Sequence, residues 1–249
     1  MENPFDPGRM RERWKWIGSD FRDARATQIL VGLIVVAHIA LSLGGGDTLD
    51  AAYLFGGLSR SSLMAGHVWQ LLSYGFLHAS PLHLLLNTLA LLMAGLQLER
   101  IVGFKGLLRI FFAGVLAGGI AHVALQPAAQ ADLTLVGASG GIAAIFFWLI
   151  TMSPDARSRF IPLSWKNLGR LFLAAQILLV ASLWLPAAKA ATPAGANEPA
   201  AIQVGHACHL GGSLAGWLLA RRLLRPTVTR KQLESQRAKR EARLAKERS

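Results

Sequence analysis

Residues 81–98 read Pro81-Leu82-His83-Leu84-Leu85-Leu86-Asn87-Thr88-Leu89-Ala90-Leu91-Leu92-Met93-Ala94-Gly95-Leu96-Gln97-Leu98. The run carries no Asp, Glu, Lys or Arg and approaches the ~20 apolar residues that a bilayer-crossing helix needs. Polar side chains interrupt it. His83 and Asn87 stand four positions apart, hence on one helical face, with His78 just ahead of them. Ionisable groups inside a membrane helix are expensive, so such positions are functional candidates by default.

Five further apolar runs lie at about 27–43, 106–125, 138–152, 168–185 and 204–220. Hydrophobic residues make up 53% of the 249-residue chain and charged residues 16%, against roughly 25% charged in soluble domains. A soluble enzyme and a disordered chain are both excluded on those figures. The fold expected is an all-α membrane protein with six transmembrane helices.

Net charge is +12, and its distribution decides what it means. If six helices alternate, 24 of the 26 Lys and Arg fall on one side, leaving only Arg60 and Lys189 on the other. The positive-inside rule then places both termini in the cytoplasm. The basic excess is topological and implies no nucleic-acid partner. Three parts are expected: a cytoplasmic N-terminal segment 1–26, a membrane domain 27–222 and a basic cytoplasmic tail 223–249. The first apolar run is read as an uncleaved anchor, since no A-x-A-like site follows it. Segment 44–80 is an external loop with Trp69 and Tyr74 suited to an interfacial belt, and 186–203 is an Ala/Pro-biased external loop. The single cysteine, Cys208, excludes an internal disulfide.

Two more runs open on polar or small residues. The fourth begins Gly137-Ala138-Ser139-Gly140-Gly141, and the sixth contains Gly205-His206-Ala207-Cys208-His209-Leu210-Gly211-Gly212 and Gly216. Gly205, His209, Gly212 and Gly216 share one helical face, and small residues on such a face let two backbones approach closely. Gly140 and Ala144 make the fourth helix the natural partner. In the alternating topology His83, Asn87, Ser139 and His209 each lie within about 10 Å of the outer boundary.

A serine hydroxyl in that layer needs a base, and a neutral histidine suits the role. Acyl transfer also needs donors for the oxyanion, which an Asn amide, a second His and a helix-initial N–H can supply. No carboxylate is in reach. Glu99 lies about 18 Å along the helix from Asn87, so the pattern is a Ser–His dyad. Read alone, Gly-Ala-Ser-Gly in a membrane helix is more often a packing patch than a nucleophile. His38 and His122 read as buried structural histidines. A metal at His206, Cys208 and His209 is disfavoured, because Cys208 points about 200° away from His206 on an ideal helix.

Together these motifs resemble the rhomboid family of intramembrane serine proteases, over about residues 60–222. Gly137-Ala138-Ser139-Gly140 resembles the family's GxSG nucleophile motif, and His209-x2-Gly212-x3-Gly216 its HxxGxxxG motif. His78-x4-His83-x3-Asn87 resembles the second-helix motif, and Gly95-x3-Glu99-x3-Gly103 the structural motif at that helix's inner end. Gln70 follows Trp69 where the family has Arg, and Ala143 stands where it often has a Tyr stacked on the base. The resemblance implies a six-helix rhomboid-like bundle in a bacterial inner membrane. It implies Ser139 as nucleophile and His209 as base, with His83 and Asn87 lining the oxyanion hole. His78, Gly137, Gly140 and Gly212 support them. Neither metal nor organic cofactor is implied. The partners implied are the lipid bilayer and membrane-protein substrates with transmembrane segments, cut where small residues lie near helix-destabilising ones. The alternative is a non-catalytic rhomboid-like protein that binds membrane clients; such proteins usually lack the serine or the histidine.

Overall fold

The computed structural model describes residues 23–127, 131–155, 163–184 and 205–223, together with Glu234, Ser235, Arg237 and Glu241. The polar segment up to residue 22, the loop 186–203 and the rest of the basic tail lie outside the described residues. Among those described there is no β-strand, and only an isolated bridge pairs Leu58 with Leu135. The helices in chain order are α1 (Arg25–Leu43), α2 (Gly46–Gly56), α3 (Arg60–Met64), α4 (Gln70–Ser73), α5 (Pro81–Leu125), α6 (Ser139–Met152), α7 (Trp165–Ser182) and α8 (His206–Leu223). By length and composition, helices α1 and α5 are long and apolar enough to cross a bilayer, and α6 is a shorter apolar helix.

The runs expected at 81–98 and 106–125 form the two helical arms of Pro81–Leu125, which break at Gly103, whose φ of 70° is a left-handed value open to glycine. Its start is fixed locally: Ser80 Oγ accepts from the His83 N–H at 3.2 Å, and Pro81 occupies the first turn, where a missing N–H costs nothing. That cap sets where His83 and Asn87 fall in the first two turns of the helix.

Helix α1 has no side-chain cap of its own. Its N-terminus is capped from α5, because the Glu99 carboxylate accepts from the N–H groups of Ala26 and Thr27 at 2.8 and 2.9 Å and from Thr27 Oγ1 at 2.8 Å. A carboxylate at a helix N-terminus satisfies free donors and complements the helix dipole. Glu99 therefore acts structurally, as its position relative to Asn87 suggests.

The segment 44–80 holds three short helices and a turn of 3₁₀ helix at Tyr74–Phe76 that no apolar periodicity announces. Polar side chains bind it together. Gln70, fully buried, donates to the carbonyls of Leu54 and Phe55 at 3.0 and 3.3 Å, and Trp69 Nε1 donates to Phe55 O at 2.8 Å. Gln70 thus anchors the end of α2 in the place where the family pattern has Arg. Tyr74 corrects the belt assignment: it is fully buried and donates to Val115 O at 2.6 Å, while Trp69 remains 42% exposed. His38 and His122 are buried.

At the centre, α5, α6 and α8 meet almost backbone to backbone. A Cβ on Gly212 would collide with Gly140 O, one on Gly216 with Ala144 O, and one on Gly211 with Ala117 O. Gly140 and Ala144 are the partners that the small-residue face anticipates, and the approach of Gly211 to Ala117 brings in α5 as well. Leu91, Leu98, Phe111, Val115, Ile145 and Trp148 fill the core around them.

Candidate active site

Ser139 opens α6, and the approach to it is stitched down on both sides. Leu58 and Leu135 exchange backbone hydrogen bonds at 3.0 and 2.8 Å, and the Gly137 N–H donates to Tyr74 O at 2.9 Å. Gly137 then turns at φ +123°, a conformation that side chains rarely adopt. A Cβ there would stand 2.7 Å from His83 Cε1 and 2.9 Å from His83 Nε2. The missing side chain is what lets the His83 ring lie against the start of α6. Ala138 supplies no side-chain cap, so the first N–H groups of α6, Ser139's among them, have no acceptor within the helix.

Gly140 does related work one residue later. A Cβ there would lie 2.7 Å from Cys208 Sγ and 3.2 Å from Tyr74 Oη. Cys208 is fully buried against Tyr74, with 3.4 Å between Sγ and Oη. It faces the opposite way from His206, as the helical angle between them requires.

Ser139, His209 and Asn87 line one cavity of about 620 Å³. Its walls are the N-terminal arm of α5 (Leu86, Met93), α6 (Ala143, Phe146) and α7 (Trp165, Phe172), so it is mostly apolar and lies between α5 and α7. Among the described residues no hydrogen bond joins Ser139 to His209. Catalytic hydrogen bonds are often long without substrate and tighten when it binds. Asn87 gives one amide proton to His83 O at 2.9 Å, leaving its second free. The His78 ring lies 5.1 Å from the His83 ring and is almost fully buried. Burial, with His83 and then His38 nearby, pushes the His78 imidazole down to about 3, so it stays neutral. Neither of its ring nitrogens makes a well-aligned hydrogen bond.

Where the family pattern has a tyrosine on the base, Ala143 lines the cavity wall, and Phe172 from α7 approaches His209 with ring centroids 5.8 Å apart. Next to it is a residue that the sequence reading overlooks. Gln176 Oε1 lies 3.1 Å from His209 Nδ1 and 2.8 Å from His206 Nδ1. The signal was available. Gln176 interrupts the apolar run 171–181 just as His83 interrupts 81–98.

A family model described as the Rhomboid domain matches residues 65–226. Similar curated proteins include the rhomboid protease GluP of Bacillus subtilis, 31% identical over 136 residues, which are 54% of this chain and 26% of that one. The chloroplastic rhomboid-like protein 16 of Arabidopsis thaliana is 30% identical over 45% of this chain and 34% of its own. Human rhomboid-related protein 3 is 36% identical over 37% and 22% respectively. The aligned region thus covers between 22% and 34% of these relatives' lengths. The domain match extends over more than half of the sequence, through the stretches holding Ser139, His209, His83 and Asn87, and on that ground the chain belongs to the rhomboid family, integral membrane proteins among which are intramembrane serine proteases.

Proposed function

We propose that the protein is an intramembrane serine endopeptidase that cuts peptide bonds in or near the transmembrane segments of other membrane proteins. The observation that carries this reading is the shared cavity: Ser139, His209 and Asn87 line it, and His83 lies against Gly137, two residues before Ser139. Ser139 Oγ attacks the scissile carbonyl carbon while its proton passes to His209 Nε2. His83, Asn87 and the Ser139 N–H hold the resulting oxyanion. Collapse of the intermediate expels the amine, which takes the proton from His209, and leaves an acyl-enzyme. Water, deprotonated by His209, then attacks the ester, releases the carboxylic acid and restores Ser139. His78, Gly137, Gly140 and Gly212 support this arrangement.

The same reading takes six transmembrane helices, the two arms of α5 counted separately, with both termini cytoplasmic in a bacterial inner membrane. Residues 1–26 and 223–249 flank the membrane domain 27–222. The substrate helix comes in sideways between α5 and α7, along the apolar cavity. A non-catalytic, client-binding member of the family is the other reading; the joint presence of Ser139 and His209 on one cavity favours the protease. A fluorophosphonate probe separates the two. It labels the wild type and spares Ser139→Ala if the protein is a protease, and it labels neither or both if it is not.

A further inference from the structure

Helix α7 is apolar and mostly exposed, yet it buries one amide. Of its eighteen residues only Gly169, Gln176 and Val180 are buried, and Gln176 is 7% exposed. Burying a primary amide without partners is costly, so its partners explain its place. They are the Nδ1 atoms of His206 and His209, both directed at a single oxygen. A carbonyl oxygen has two lone pairs and no proton. With Oε1 facing both rings, each ring nitrogen acts as an N–H donor, which corresponds to the Nδ1–H tautomer of both histidines.

We infer that Gln176 is a positioning residue for His209. Resting on the proposed protease mechanism, the inference adds the element that orients its base. With Nδ1 protonated, His209 Nε2 carries the lone pair that accepts the Ser139 proton. When His209 becomes an imidazolium, the same Nδ1–H donor remains in place and its bond to Oε1 is charge-assisted. The part that a buried carboxylate plays in a triad falls here to a neutral amide, and His206 holds that amide from the other side. Because Gln176 rides on α7, the orientation of the base is tied to the helix that borders the substrate cavity. Displacing α7 from α8 takes the acceptor away, and return of α7 over a bound substrate restores it.

Other titratable groups around His209 are His206 on its own helix and His83 from α5. Helix α6 presents Ser139, and α7 presents Phe172 and Gln176, none of them charged at neutral pH. A carboxylate placed at 176 is therefore the one new charge that His209 meets.

The test compares the full-length wild type, Gln176→Leu and Gln176→Glu in detergent micelles, measuring kcat and KM on a soluble peptide against pH and the rate of fluorophosphonate labelling. Leu removes the acceptor at similar volume. It is expected to lower kcat and labelling by about 10–100-fold, the range that orienting partners of metal-bound histidines are worth, with KM little changed. Glu keeps an acceptor and adds a charge. It is expected to restore most of kcat and to move the acidic limb of the kcat/KM profile to higher pH by about one unit or more. If Gln176→Leu does not fold, the Glu variant carries the test alone. Wild-type kcat and an unshifted profile in Gln176→Leu overturn the inference, as does a Glu variant as poor as Leu or one whose acidic limb stays in place. A wild type that neither cleaves nor labels condemns the protease reading itself, a separate failure.

Discussion

Helices α6 and α7 both border the cavity, and they are held in opposite ways. Eight of the fourteen residues of α6 are buried, against three of the eighteen of α7. Helix α6 is gripped through its backbone: Gly140 O and Ala144 O sit where Gly212 and Gly216 leave room. Helix α7 is held by aromatic contacts of Phe172 with Phe147 and Phe146, by Gln176, and at its end by Trp184 Nε1 donating to Leu125 O at 3.2 Å. Lipid tails are as apolar as leucine, so large side chains alone gain little by leaving lipid for protein, and close backbone packing decides which helices are fixed. The proposed nucleophile, Ser139, thus sits on a clamped helix, while the wall across the cavity is loosely attached. That division suits an enzyme that must keep its chemistry rigid while admitting a helix from the side.

The sharpest way to break this contrast is to loosen the clamp. Gly216→Val puts a branched side chain where Ala144 O lies and separates α8 from α6. Overpacking of this kind costs about 1–3 kcal/mol or more. The expected result is near-complete loss of cleavage with a lowered midpoint of thermal unfolding. Normal activity and melting in Gly216→Val would show that the helices do not depend on that approach.

Within the clamped region, removing an oxyanion donor should slow the chemistry without unfolding the protein. Losing one such donor typically costs about 10²–10³ in turnover, so Asn87→Ala and His83→Ala should each lower kcat by that order with KM little changed. Steady-state kinetics on a soluble peptide read it directly. A raised KM with unchanged kcat would turn both residues into substrate binders.

On the loose side the effect should be smaller and opposite in sign. Phe172 flanks His209 as well as the cavity, so Trp184→Ala is the cleaner change. Freed from Leu125 O, α7 should admit membrane substrates a few-fold faster if opening limits turnover, with cleavage of a short soluble peptide unchanged. Cross-linking α7 to the first arm of α5 should block membrane substrates. If the cross-linked protein cleaves them at the wild-type rate, sideways access between these helices must be abandoned. The smallest expected effect is none at all: EDTA and a stronger zinc chelator leave activity as it was. Loss on chelation with recovery on adding zinc would return His206 and His209 to the role of metal ligands.

What the sequence disclosed, and what it hid, follows the same division. Clamped elements advertise themselves by local spacing: Gly205, His209, Gly212 and Gly216 fall at helical intervals, and the partners Gly140 and Ala144 are equally visible. His83, Asn87, Ser139 and His209 stand out because apolar runs seldom contain them. The folded loop 44–80 was hidden. Its short helices have no apolar period, and they are tied by side chains such as Gln70 and Tyr74 to carbonyls far along the chain. Tyr74 looks like an interfacial residue until its buried bond to Val115 O is known. Gln176 shows as a polar break in its apolar run, but its partners are two histidines thirty and thirty-three residues away.

The central claim, that Ser139 and His209 act as a catalytic pair, is tested most directly by cleavage of a single-pass membrane protein in liposomes by purified wild type, Ser139→Ala, His209→Ala and the double variant. The account predicts cleavage by the wild type and almost none by either single variant, each remaining folded. It also predicts a double variant little worse than the singles, because paired catalytic groups act as a unit. Substantial cleavage by purified Ser139→Ala would contradict it.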